Sequence, residues 1–534
     1  MPQARPFRLF MLSLAMIATG CVRADRVTTV SAAAEEGQKW SEEAQKPEAT
    51  LQTFTTVNGA DLKSRLEAAS QQARGQSPYW SAYSFDVRPG VAVDPTIHEF
   101  HGNMNTVGDT SVFIGTTGGG MTVETRNLAI FLLRQPGNNQ VHRMEIYNLE
   151  RKREYSGYPV YWLGRANNEE SLSYLQGLSD NNQPNLLGER AVLGIALHDD
   201  ARVAGMLKNF IQKSTNQRVR SSSVCWLGQV GGEQNFLADI VRNESEDRTI
   251  RRQAVHSIGE SRDRGSLALL QTLFDSVKET EIHRSIVHAV SDNQDQDGAF
   301  AFLLKVVKSD PDRETRRAAV RQLGEFERPS AVDELIRIYN TDTDNEVKRT
   351  VLHSLAESKN PKAQTRLLEL ARTEPNQELR KQAIHVLSER GPAVIEELIK
   401  LYDGDRAPEV RRTILQSLSE IKSDRVEDKL FEVAKGDENV ELRRHAIRLL
   451  GERAGKRSLD FLSATAQSTD GNAEVQMQAV RAISERNAEE AVPLLIKIAK
   501  SHPNQAVRKQ AIRSLGESGD PRAVEFFREV LTKE

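Results

Sequence analysis

The strongest constraint on this chain is that its last two-thirds repeat themselves. Ile250-Arg251-Arg252-Gln253-Ala254-Val255-His256-Ser257-Ile258-Gly259-Glu260 returns, with the same spacing of residue types, at 315–325, 442–452 and 507–517. The first positions of the copies are Val219, Ile250, Ile282, Thr315, Val347, Leu379, Val410, Leu442, Val475 and Val507, and each step is 31 to 33 residues. Leu187, with Ala191, Val192 and Ile195, fits as a degenerate earlier copy. Within a copy the apolar positions fall at offsets 0, 4, 5 and 8, which is one face of an α-helix. A second amphipathic stretch follows each turn, as at Pro329 and Pro521, where proline suits the first helical turn because its missing N–H would be unpaired there. One such helix pair cannot bury its own apolar face, so the copies must stack into a solenoid.

These residues resemble the short HEAT-like repeats of the phycobilin-lyase type, over residues 187–534. The resemblance implies a mainly α fold, a right-handed superhelix of antiparallel helix pairs. Related enzymes, the HEAT-repeat hydroxylases, hold iron with paired His-Glu dipeptides on successive repeats. Here the sole His-Glu is His98-Glu99, outside every repeat, which argues against that chemistry.

Ahead of the repeats the texture changes. Residues 78–165 hold 12 of the chain's 30 aromatics, in short aromatic and β-branched runs at 79–87, 111–117, 128–134 and 141–149 that read as strands. They predict a small β-rich domain, with 135–140 as a hairpin loop and 166–186 as a linker to the solenoid. Residues 48–77 read as a helical lead-in with a helix at 60–69, and 21–47, without apolar period, as a flexible tether. Residues 1–20 carry Arg5 and Arg8 and then an apolar run from Leu9, the layout of a secretory signal peptide and too short for a membrane span. Ala18-Thr19-Gly20-Cys21 resembles a bacterial lipoprotein box, which would acylate Cys21; ordinary cleavage after Ala24 is the alternative. The expected location is therefore the periplasm or a lipid-anchored place in the cell envelope.

Stacking turns each offset into a column. Offset 1 is basic in eight of ten copies and offset 10 acidic in nine, and the two columns are expected to pair. Offset 2 is Arg or Lys in eight copies, and offset 6 supplies further His and Arg. Arg252, His256, Arg317, Arg321, Arg349, His353, Arg444 and Arg448 thus form a ridge that suits either an anionic partner or simple solvation of an outer face. As a metal site the histidine column fails, because helices ~8–10 Å apart cannot bring ligands to ~2 Å from one ion.

No constellation for catalysis emerges. His98 and His101 lie on opposite faces of an extended strand. The glycine run 115–120 lacks the Gly-Lys-Ser/Thr ending of a phosphate loop. Cys225, beside Trp226, reads as a packed side chain without a nearby base. The aromatic cluster at 158–163 either packs where strands meet helices or forms a recognition patch. Acids and bases nearly cancel at a net charge of −3, which disfavours nucleic acid. The chain is expected to be a non-catalytic scaffold without cofactor that binds a protein partner over a concave face lined by the second helices. The alternative is an enzyme or enzyme subunit acting on an envelope substrate, with its site in the β-rich segment.

Overall fold

The computed structural model describes residues 54–532 except 74–77, 94–111, 115–122, 125, 136–139, 150–154, 180–185, 262–264, 454 and 469–470. The chain forms two compact units that divide between Phe302 and Leu303.

The first unit opens with β1 (Thr55–Thr56) and α1 (Leu62–Gln72). Asp61 and Ser64 close a reciprocal capping box at the start of α1, which satisfies two of its orphan N–H groups. Next come β2 (Tyr79–Ser84), β3 (Val91–Val93), β4 (Val112–Ile114), β5 (Val123–Glu124), β6 (Leu128–Arg134), β7 (Val141–Asn148) and β8 (Val160–Arg165). A five-stranded sheet runs β1-β8-β2-β6-β7, and a small three-stranded one runs β4-β3-β5. β6 and β7 pair antiparallel across the expected hairpin, while β8 lies parallel to both β1 and β2.

The large sheet is covered on both faces, which is why β2 and β6 read as nearly continuous apolar runs. One face gathers Trp80, Phe131, Tyr147 and Val160, with Phe54, Tyr155, Tyr158 and Trp162 packed around them. The other meets α2 (Asn168–Ser179) and α3 (Leu187–Ala196), with Tyr83 bonded to Ser171 and Met144 against Gly194. Residues 168–179, expected to be linker, are thus helical. The buried side of α2 is only Ser171, Leu172, Leu175 and Ser179, so its apolar stripe is too sparse to stand out in the sequence.

Sheet and solenoid are continuous in this unit. Val87 bridges to His198, Arg88 N–H donates to the Leu197 carbonyl at 2.9 Å, and Asp199 N–H donates to that of Asp86 at 2.8 Å. His198 stacks on Phe85 with ring centroids 4.3 Å apart. Its Nδ1 lies 2.7 Å from the Gly194 carbonyl, which can only accept, so Nδ1 carries the proton. Nε2 therefore accepts from Ser171 Oγ at 2.8 Å, and Tyr83 in turn donates to Ser171 at 3.2 Å. Burial pushes the His198 pKa down to about 4 and the Tyr83 phenol well above its usual range.

From Leu187 the described residues form helix pairs to Thr532. In each pair the helix carrying the repeated motif is followed by a connecting helix. In the second unit the motif helices are Arg313–Gly324, Asn345–Glu357, Gln377–Ser388, Pro408–Ser419, Val440–Glu452, Ala473–Ser484 and Gln505–Ser518. The offsets expected to be apolar are buried, for example Leu379, Ala383, Ile384 and Leu387, except Ile512 in the last copy, which is exposed. Asp312, Asp344, Asn376, Asn439, Asn472 and Asn504 cap these helices through their side chains, as short polar residues at that position do. The pairing repeated down the chain is an α-solenoid.

Neighbouring motif helices touch along their length, whereas neighbouring connecting helices meet over a short stretch. Glycine at offset 9 permits the close approach. A Cβ on Gly259 would come within 2.8 Å of the Ala289 carbonyl, and one on Gly451 within 2.8 Å of Ala482 Cβ. A stack in which one layer packs more tightly than the other curls toward the tight layer. Within each unit the motif helices therefore line the inner side, which corrects the expectation that the second helices do so.

Two predictions follow from this packing. Gly259→Val should destabilise the first unit by about 2 kcal/mol through overpacking. Gly516→Ala, with nothing within 4 Å of the new Cβ, should stabilise the second by up to about 1 kcal/mol through helix propensity; thermal and denaturant melts check both. His198 is held neutral in the fold but has an ordinary pKa when unfolded. The unfolded chain therefore binds more protons below about pH 6.5, and the stability His198 confers is present above that pH and lost as pH falls toward 4, by about 3 kcal/mol. Melting curves between pH 7 and 4 should show this slope, reduced in His198→Gln.

Candidate interaction surface

The columns resolve into two kinds of charge. Offset 1 is a clamp. Arg251, 2% exposed, donates through Nε to the Val241 carbonyl at the end of the preceding connecting helix and pairs with Glu279 ahead of the next motif helix at 2.5 Å. Arg220 does the same with Ile211 and Glu246, each at 2.7 Å, and Arg380 with Ala371 and Asp405. Arg411 pairs with Asp437 at 2.7 Å while its guanidinium lies 4.1 Å from the Tyr402 ring centroid. A guanidinium suits this place because its planar fork serves a helix-end carbonyl and a carboxylate together.

The expected pairing of offset 1 with offset 10 is not what forms. The acids that meet the offset-1 arginines lie in the turn before the next motif helix, while offset-10 acids sit one helical turn beyond offset 6 and pair there. Arg448 meets Glu452, Arg513 meets Glu517 at 2.9 Å, and His385 lies 3.9 Å from Glu389.

The ridge residues all lie on motif helices, and so on the inner side of their own unit. Arg317, Arg349 and Arg444 each pair with the glutamate three residues earlier, Glu314, Glu346 and Glu441, at 3.0, 2.7 and 2.8 Å. Arg252 and Arg321 are exposed and His256 is partly buried; the copy of Arg252 has Thr249 where the next seven have glutamate. His353 is exposed and lies 3.0 Å from Gln382 Nε2 of the next motif helix. Arg448 donates to Gln416 of the previous one at 3.0 Å. The ridge is therefore a mixed-sign surface knitted from helix to helix.

In the second unit this surface deepens into an open groove of roughly 350 Å³ across four consecutive motif helices. Arg349, Lys381 and Arg412 edge it, and Gln382, Thr413 and Gln416 supply polar groups between them. His445, at its end, is half-buried; burial first, then Arg448 and Arg412, pushes its pKa down to about 4.

Sequence reasoning missed Ser171 and His198, which in the fold stand as a nucleophile and base would. Both are fully buried, and the third partner is a backbone carbonyl rather than a carboxylate. In this geometry they tie the sheet to the first helices and give substrate no approach. No spacing could have announced them, because the pair spans α2 and the end of α3. The 158–163 cluster packs into the sheet, with Val160, Tyr161 and Leu163 buried. Cys225 is 4% exposed. Cys21, His98, Glu99, His101 and the glycine run 115–120 lie outside the described residues. Among the described residues no group of three or more His, Cys, Asp or Glu could hold a metal, and no helix is long and apolar enough to cross a membrane.

Comparison with known proteins matches the HEAT repeats family at residues 300–388, 395–472 and 465–534. The matched residues are HEAT repeats, and the helix pairs to which they belong form an α-solenoid that a small sheet precedes. No curated protein matches the chain. Solved structures similar to it include human deoxyhypusine hydroxylase, at 16% identity over 54% of this chain and 96% of that one, with a TM-score of 0.22. Kap95p in a structure with RanGDP is 10% identical over 68% and 59%, with a TM-score of 0.35. The phycocyanin lyase pair CpcE and CpcF of Nostoc is 17% identical over 49% and 92%, with a TM-score of 0.19.

The two kinds of arginine should respond differently to removal. Arg251→Ala removes the donor to the Val241 carbonyl and leaves Glu279 with Arg248 alone, 3.9 Å away, and should cost about 2 kcal/mol through the lost hydrogen bonds and packing of a buried side chain. Arg317→Ala, removing one half-exposed pair, should cost less than about 1 kcal/mol. Urea melts of the two variants check the contrast.

Proposed function

We propose that this protein is a non-catalytic scaffold at a bacterial cell envelope, which binds a protein partner on the inner surface of its solenoid. The observation that carries this reading is the row of seven motif helices in the second unit, whose buried groups are used in stacking and whose exposed groups form a long polar surface. Solenoids suit such work because they offer extended surface without needing a closed pocket. The envelope assignment rests on the N-terminal sequence, where the basic start, the apolar run and Cys21 fit export with lipid attachment.

The partner test is crosslinking in intact cells followed by identification of captured proteins. A single partner recovered reproducibly, and lost when the motif-helix face is mutated, is the expected result; no partner under several growth conditions contradicts the scaffold. The anchor is tested by metabolic labelling with a fatty acid. The wild type should be labelled and Cys21→Ala should not, whereas unchanged labelling in the variant refutes attachment at Cys21.

A further inference from the structure

We infer that the groove across the Val347, Leu379, Val410 and Leu442 copies is the docking site for an extended acidic segment of a partner protein. This rests on the scaffold reading and narrows it to one stretch of the inner face and one chemistry. Of the ten residues that line the groove, Arg349, Lys381 and Arg412 are cationic and Glu378 alone is acidic. The three cations stand at offset 2 of consecutive motif helices. With neighbouring helices ~8–10 Å apart, they span roughly 20 Å, about six residues of extended chain.

Two of these cations are held by weak partners, while Arg349 is paired with Glu346 at 2.7 Å. Lys381 lies 3.3 Å from Glu378 and Arg412 4.0 Å from Glu409, pairs of the i,i+3 kind on a partly exposed helix face. Such pairs are worth about 0.5 kcal/mol or less, so an incoming carboxylate can replace them. Between the cations the Gln382 side-chain carbonyl and the Gln416 side-chain N–H, whose other ends bond His353 and Arg448, supply an acceptor and a donor to a peptide backbone.

A peptide fits better than a nucleic acid. Glu346, Glu378, Glu409 and Glu441 recur beside the bases, one per copy, and would repel a continuous phosphate chain. No Phe, Tyr or Trp lines the groove to stack a base. Carboxylates spaced along a peptide meet the cations, while its backbone N–H groups meet the glutamates and Gln382.

The test is fluorescence anisotropy on the intact protein. The probe is a labelled peptide of about 12 alternating Glu and Ser residues, with a Lys/Ser peptide and a single-stranded oligonucleotide of equal length as comparisons. Saturable binding of the acidic peptide at low salt is expected, weakened about tenfold by Lys381→Glu or Arg412→Glu and less than twofold by Arg513→Glu, which lies outside the groove. Circular dichroism melts establish that the variants fold. No saturable binding, equal weakening by Arg513→Glu, or tighter binding of the oligonucleotide overturns the inference. In cells, a crosslinked partner that Lys381→Glu and Arg412→Glu release supports the groove. A partner that both variants retain overturns the groove and leaves the scaffold standing.

Discussion

The structure depends on a guanidinium set between successive helix pairs, buried at Arg251 and half-buried at Arg220, Arg316, Arg380, Arg411, Arg443 and Arg508. A motif helix that buries its apolar face still leaves two problems: unpaired carbonyls at the end of the preceding connecting helix, and a turn that must bring the next copy close. One arginine answers both. At Arg220, Arg251 and Arg380 its Nε takes the carbonyl and the rest of its fork takes an acid on the far side of the turn. The clamp therefore joins three elements that no apolar contact would hold in register, and it does so with the side chain whose geometry matches both acceptors.

The inner surface is a consequence of this arrangement. Because arginine and glycine together draw the motif helices close, the side chains at offsets 2, 3 and 6 of successive copies become neighbours. Gln382 reaches His353 and Arg448 reaches Gln416 across the gap. The long polar face that we propose as a binding surface is thus built from the same helices that make the stack cohere, while the connecting helices spread on the outside. The sheet that precedes the repeats is tied into the first helices through His198, Ser171 and Glu145, which pairs with Arg190, and so extends the first unit rather than hanging from it.

Most of this fold could be read from the chain before its structure. The 31–33 residue period, the offsets 0, 4, 5 and 8, and the strand at 128–134 all recur in the structure, because burial and turn chemistry act locally on them. Two kinds of feature were hidden. The helix 168–179 was missed because serine can occupy buried positions without contributing an apolar signal. The assignment of offset-1 arginines to the wrong acids has a different cause: offset 10 is the more regular column, but the true partners, Glu246, Glu279, Asp405 and Asp437, lie at varying distances before the next copy. Which helices line the inner face was likewise invisible, since it follows from the relative spacing of two layers and not from either sequence alone.

The clamp's role is best tested by hydrogen exchange on the intact protein with Arg380→Ala. If the guanidinium couples neighbouring copies, amide protection should fall about tenfold both in the motif helix Gln377–Ser388 and in the next one, Pro408–Ser419, the loss of one buried network being worth about 1–3 kcal/mol. Faster exchange confined to residues 377–388, or none at all, would contradict the claim that this arginine holds the stack together.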